Sequence, residues 1–127
     1  LVVDDEVAIR SIARTILERA GFPVLDAADG AQALAVFREH AAAVATVVLD
    51  VDMPHMDGEE VLRELRRLSA ELPVVISSGR LDEGSTERLR AHAVVTFLPK
   101  PYRATHLVEE VRRALGASPP ATPPVHP

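Results

Sequence analysis

Apolar residues fall in runs whose period changes along the chain. Leu1-Val2-Val3 is a short β-branched run ending in two acids and predicts a first strand. From Glu6 onward, Ile9, Ile12, Ala13, Ile16, Leu17 and Ala20 share one face at helical spacing, with Arg10, Arg14 and Arg19 elsewhere and Gly21 as the stop. Phe22 to Ala28 predicts a second strand. Asp29-Gly30 punctuates it before a helix that carries Leu34, Val36 and Phe37 and fades near His40. Val47-Val48-Leu49 then runs unbroken into Asp50, as in a strand buried on both faces of a parallel sheet.

Pro54, Asp57 and Gly58 form the next loop, with Asp57 as N-cap of a helix through Val61, Leu62, Leu65 and Leu68. Pro73 resets the chain. Val74-Val75-Ile76 reads as a fourth buried strand ending in Ser77-Ser78-Gly79, and the segment from Arg80 to Ala91 is polar and only weakly helical. Val94 to Leu98 supplies a fifth strand before Pro99-Lys100-Pro101. The last helix is expected from about Thr105, with Leu107, Val108, Val111 and Leu115 on one side and Gly116 as its stop. Strands alternating with helices imply βαβ units, hence an α/β domain with a parallel sheet covered on both faces. The domain is expected over residues 1–116. Residues 117–127, uncharged and with five prolines in the last nine, read as a flexible tail or linker.

Composition narrows the function. With aromatics at only 3%, the core must be built from Val, Leu, Ile and Ala. A net charge of -5 without a basic stripe argues against direct nucleic-acid binding. The absence of cysteine excludes disulfides and thiolate metal sites. The start resembles no signal peptide, and the longest mostly apolar run, Ala41 to Leu49, is too short to span a bilayer. A cytoplasmic protein without membrane insertion is expected. His40, His55, His92, His106 and His126 show no ligand spacing and are expected to face solvent.

The predicted strand ends hold the candidate chemistry: Asp4 and Asp5 after the first, Asp50 after the third, Ser78 after the fourth and Lys100 after the fifth. A parallel sheet brings these ends to one rim, where ligands of open α/β sheets bind. Two like charges about 4 Å apart repel by roughly 4 kcal/mol at an effective dielectric of 20, so crowded carboxylates need a cation. Hard oxygen ligands suit Mg²⁺. The chain uses Arg 13 times and Lys once, at position 100 between two prolines. A compact ammonium there suits a single phosphate or carboxylate oxygen.

The set Leu1-Val2-Val3-Asp4-Asp5-Glu6, Asp50-Val51-Asp52-Met53-Pro54-His55-Met56-Asp57-Gly58, Ser77-Ser78-Gly79 and Phe97-Leu98-Pro99-Lys100-Pro101 resembles the receiver domain of two-component response regulators. The resemblance implies a flavodoxin-like (βα)5 three-layer sandwich with strand order 2-1-3-4-5. It implies that Asp50 accepts a phosphoryl group from a histidine kinase or phosphotransfer protein. Asp5 and Asp50 would bind Mg²⁺, helped by the backbone carbonyl of Asp52, with Asp4 acting largely through water. Lys100 would hold a phosphoryl oxygen. Ser78 matches the switch hydroxyl, and Phe97 the aromatic that turns inward behind it. The Lys100–Pro101 bond is a candidate cis peptide. The wording around Ser78 and Phe97 is closer to receivers attached to hybrid sensor kinases than to those of DNA-binding regulators. Kinase, output partner and oligomeric state are not readable.

Two other readings stay open at this point. Asp50-Val51-Asp52 also resembles the nucleophile motif of haloacid-dehalogenase-type phosphatases, in which the second Asp is general acid/base, although Pro54 stands where that family expects Thr or Val. A pseudo-receiver that keeps the fold without phosphorylation, a pure binding module, is the other. Asp52 and Arg80 lie two residues beyond Asp50 and Ser78, where they could gate water and pair across the cleft.

Overall fold

The computed structural model describes residues 1–53, 57–80, 82–92 and 94–117. Ten elements alternate along them: β1 (Val2–Val3), α1 (Val7–Arg19), β2 (Asp26–Ala27), α2 (Gly30–His40), β3 (Val47–Asp50), α3 (Gly58–Leu68), β4 (Val74–Ser78), α4 (Glu83–Arg90), β5 (Val95–Pro99) and α5 (Ala104–Ala117). All strand pairings are parallel and the order is β2-β1-β3-β4-β5, a flavodoxin-like sheet.

The continuous apolar runs have the burial they imply, since every residue of β3 and β4 is buried. Alternation within each strand divides the core. Val3, Val47, Leu49, Val74 and Ile76 face one layer, packed with Phe37 of α2, Leu62 and Leu65 of α3 and Leu89 of α4. Val2, Val48, Val75 and Leu98 face the other, packed with Ala13 and Leu17 of α1 and Leu107 and Val111 of α5. Asp57 caps α3 by accepting from the Glu59 amide at 3.0 Å. At the opposite end of that helix the half-buried Arg66 guanidinium donates to the carbonyls of Leu72 (2.6 Å), His92 (2.7 Å), Ser69 and Ala70 (both 3.3 Å).

Several expectations need correction. The second strand shrinks to two residues: Gly21 takes φ +97° just beyond the α1 C-cap, and Pro23 has no N–H for a ladder. Val94 has φ 47°, outside the extended region, so β5 begins at Val95. The weakly helical segment after Arg80 is a helix as expected, because Asp82 caps it through the Ser85 amide and Leu89 anchors it. The final helix begins at Ala104 and passes through Gly116 to Ala117. Ile12 and Leu68, expected on buried faces, are 55% and 44% exposed. His92 is half-buried against Glu59, whereas His40 and His106 are exposed. His55, His126 and residues 118–127 of the expected tail lie outside the described residues.

Candidate functional site

The order β2-β1-β3 makes the chain change direction between β1 and β3, and the crevice outside the strand ends at such a switch point is a natural ligand site. Asp4 and Asp5 leave β1 there and Asp50 ends β3. Carboxylate oxygens of the three acids lie within 4.8 Å of one another. Asp4 and Asp50 are 5% and 3% exposed, whereas Asp5 is open to solvent.

Local structure fixes each group. Asp4 Oδ1 accepts the Glu6 amide at 2.9 Å, which bends the chain into α1, and the Arg10 guanidinium donates to the Asp4 carbonyl at 2.8 Å. Burial pushes the Asp4 carboxyl up to about 6. The Glu6 amide opposes that shift, the Asp50 charge adds to it, Lys100 pulls back, and Asp5 adds a little more. Asp50 Oδ1 receives the Asp52 amide at 2.8 Å and stands 3.0 Å from Lys100 Nζ. Both contacts fall on Oδ1. Oδ2 has no hydrogen bond among the described residues, which makes it the oxygen on which a metal or an electrophile would bear. Burial disfavours the Lys100 ammonium, yet its bond to Asp50 and the charges of Asp50, Asp4 and Asp52 outweigh this and raise its pKa above the usual lysine value.

Ser78 ends β4, and its neighbour Ser77 stands in register with Asp50. The Ser78 hydroxyl donates to Asp52 Oδ1 at 2.7 Å and accepts the Arg80 amide at 2.9 Å. Asp52 Oδ2 takes the Gly79 amide at 2.7 Å. Burial raises the Asp52 carboxyl, but the Gly79 amide, the Ser78 hydroxyl, Lys100 and Arg80 together hold it below the usual carboxylate range. The expected Asp52–Arg80 pairing is replaced: Asp52 is bonded to Ser78 and Gly79, and Arg80 acts on it only through its field. A carboxylate so occupied is poorly placed as a general acid/base.

The structure thus joins Asp4, Asp5, Asp50 and Lys100 in one cluster and sets Ser78 beside it, tied to Asp52. Phe97 stands apart. It is half-buried on the α4 side of the sheet, with the Arg90 guanidinium carbon 5.4 Å from its ring centroid. The Lys100–Pro101 peptide is cis.

Two residues escaped the sequence reading. Tyr102 follows the lysine and is half-buried. Burial, and then the Asp4 charge, raise its phenol pKa. Its position just past Lys100-Pro101 was the available signal. Gly58 stands in the loop and in the receiver motif with no role of its own there, yet it packs directly on Val51, between the two acids of the β3 exit.

Comparison with known proteins agrees with this geometry. The family model for the response regulator receiver domain matches residues 1–112. The chain is 37% identical over 115 residues to the sensor kinase CckA of Brucella abortus, covering 91% of this chain and 12% of that protein. It is 29% identical over 116 residues to the chemotaxis protein CheY of Bacillus subtilis, covering 91% of this chain and 95% of that one. The crystal structure of chemotaxis protein CheY4 of Vibrio cholerae superposes with a TM-score of 0.83 at 29% identity, covering 89% of this chain and 94% of that one. The chain therefore spans nearly all of one curated relative but only a small part of the sensor kinase. With a family match over most of its length and the acid cluster at the sheet's switch point, this chain belongs to the response regulator receiver domain family and is a phosphoacceptor domain of two-component signalling.

Proposed function

We propose that Asp50 is the phosphoacceptor of a Mg²⁺-dependent switch that takes its phosphoryl group from the histidine of a kinase or phosphotransfer protein. One observation carries this reading: a 3%-exposed carboxylate whose Oδ1 is fixed by Lys100 and the Asp52 amide while Oδ2 is left without a partner among the described residues. A carboxylate oxygen of Asp50 attacks phosphorus as the P–N bond to the donor imidazole breaks, and the departing nitrogen keeps the electron pair and takes a proton. Mg²⁺ held by Asp4, Asp5 and Asp50, with the Asp52 backbone carbonyl, would offset the acids' charge and that of the phosphoryl oxygens. The donor set fits it: three carboxylates within 4.8 Å and no nitrogen or sulfur ligand among them.

The residues do the rest by position and charge. Lys100 exchanges its contact with Asp50 Oδ1 for a phosphoryl oxygen. The Ser78 hydroxyl turns to the same group, Phe97 follows it inward, and the face of α4, β5 and α5 carries the output. The same machinery catalyses phosphorylation from small donors and the later hydrolysis. The donor protein docks on α1. Val7 and Ile12 are 66% and 55% exposed there, and a hollow of about 550 Å³ between Ile9, Ile12, Ile16, Pro101 and Tyr102 opens beside Lys100. No described helix is long and apolar enough to cross a membrane. We place the domain over residues 1–116, which α5 extends by one residue to Ala117, and its site of action in the cytoplasm.

Intact mass after incubation with acetyl phosphate tests this. One phosphoryl group should appear on the native chain, require Mg²⁺, and be absent from Asp50→Asn. Addition that persists in Asp50→Asn would move the acceptor elsewhere.

A further inference from the structure

We propose that the Asp52 carboxylate is an intramolecular stand-in for the phosphoryl group. In the resting chain it engages the Ser78 hydroxyl and the Gly79 amide, and it must release them before they can serve phosphorylated Asp50. The inference rests on Asp50 being the phosphoacceptor.

The donors at the β4 exit are the observation. Ser78 Oγ lies 2.7 Å from Asp52 Oδ1 and Gly79 N lies 2.7 Å from Asp52 Oδ2, so both oxygens of one carboxylate are engaged by adjacent residues. The Gly79 amide bond is at the short end for its kind, and both distances fall within the range of charge-assisted bonds. Ser78 also accepts the Arg80 amide, so its hydroxyl is held as donor and acceptor at once. These donors stand beside the reacting group. Ser77 is in register with Asp50, and a Cβ placed on Gly79 would lie 3.7 Å from Asp52 Oδ2 and 3.8 Å from Lys100 Cβ, the lysine that holds Asp50.

A tetrahedral anion on Asp50 would present the same chemistry as Asp52 does, oxygens carrying negative charge within reach of a hydroxyl and an amide. The two anions compete for the same donors. The released Asp52 side chain has somewhere to go: a hollow of about 310 Å³ borders it, lined also by Arg80, Ser85 and Asp82. Asp52 is thus a positioning residue, and its effect on the phosphorylated state runs through Ser78 and Gly79.

The probe is beryllofluoride, a tetrahedral phosphoryl analogue, titrated with Mg²⁺ into the full chain. Asp52→Ala should bind it about tenfold more tightly, the size of one charged hydrogen bond no longer broken on activation. In a Ser78→Ala background the same substitution should gain only about twofold, because the principal bond is already gone. An equal gain in both backgrounds would reduce the effect to charge repulsion and overturn the proposal, as would no gain or a loss in the native background. Should Asp52→Ala fail to fold, Asp52→Asn keeps size and one acceptor, and the same comparison with and without Ser78 decides. A native chain that takes up no beryllofluoride with Mg²⁺ would defeat the phosphoacceptor reading itself. Native uptake with no coupling between positions 52 and 78 would defeat only this inference.

Discussion

Gly58 lies so close to Val51 that a Cβ built on it would stand 2.5 Å from Val51 Cγ1 and 2.9 Å from Val51 Cα. The second distance decides the outcome, because backbone cannot rotate aside as a side-chain end can. Val51 separates Asp50 from Asp52, so the first turn of α3 presses on the loop that aims both acids. Gly58→Ala should therefore destabilise the domain by about 1–3 kcal/mol despite alanine's better helix propensity, and should also slow phosphoryl uptake. Urea unfolding and intact-mass kinetics on one preparation would check both.

The Lys100–Asp50 contact predicts a separation between two conservative-looking substitutions. Lys100→Ala should slow uptake from acetyl phosphate by about 10²-fold, the usual effect of removing one preorganised donor at developing charge. Lys100→Arg should restore little of this, since a planar guanidinium needs two-point contact and Asp50 offers it a single oxygen in a nearly closed site. Single-turnover rates for the three proteins would show the order.

Asp4 makes the metal-free domain lose stability as pH rises from mild acid to neutral. Its carboxyl is pushed from 3.8 to about 6 in the folded chain, chiefly by burial, so the folded state binds this proton more tightly than the unfolded one. The stability it contributes is fully present below about pH 4 and is lost as pH rises through about 6. The loss should be about 1–2 kcal/mol after allowance for solvent screening. Urea unfolding in EDTA at pH 4 and pH 7 should show this slope in the native chain and a flatter one in Asp4→Asn, which removes the charge and keeps an acceptor for the Glu6 amide.

Mg²⁺ should reverse that dependence by favouring the ionised acids. At a hundredfold excess over its dissociation constant a ligand of the folded state adds about 2.7 kcal/mol. The thermal midpoint near pH 7 should rise with Mg²⁺ and return on chelation. Asp50→Asn should blunt the rise. An undiminished rise in that variant would place the cation elsewhere.

Much of this arrangement was legible because burial and chemistry coincide in the sequence. The runs before Asp50 and Ser77 are apolar at every position because both faces of β3 and β4 are covered, and that pattern alone placed the acids and Ser78 at strand ends. Less legible were features set by the third dimension. Helical spacing put Ile12 with Ala13 and Ile16, but only the packing of α5 decides that α1 buries Ala13 and Leu17 and leaves Ile12 outside. The bond from Ser78 to Asp52 joins residues 26 apart and depends on side-chain rotamers, so opposite charges suggested Arg80 as the partner instead. His92 has no ligand spacing, and nothing local in the sequence marks a buried partner for it. Its ring lies 3.2 Å from Glu59, 33 positions away.

Arg66 bears on how the domain can be re-engineered. Its guanidinium serves carbonyls from the loop after α3 and from the segment before β5, doing at that end of the fold what regular turns do elsewhere. Burial lowers its pKa, and those carbonyls offset the cost of holding the charge there. A graft that replaced residues 69–72 with an ordinary tight turn would take the Ser69, Ala70 and Leu72 carbonyls from a half-buried cation. Loop exchange between receivers should thus be tolerated least at this end, far from the acids and without any catalytic residue in view.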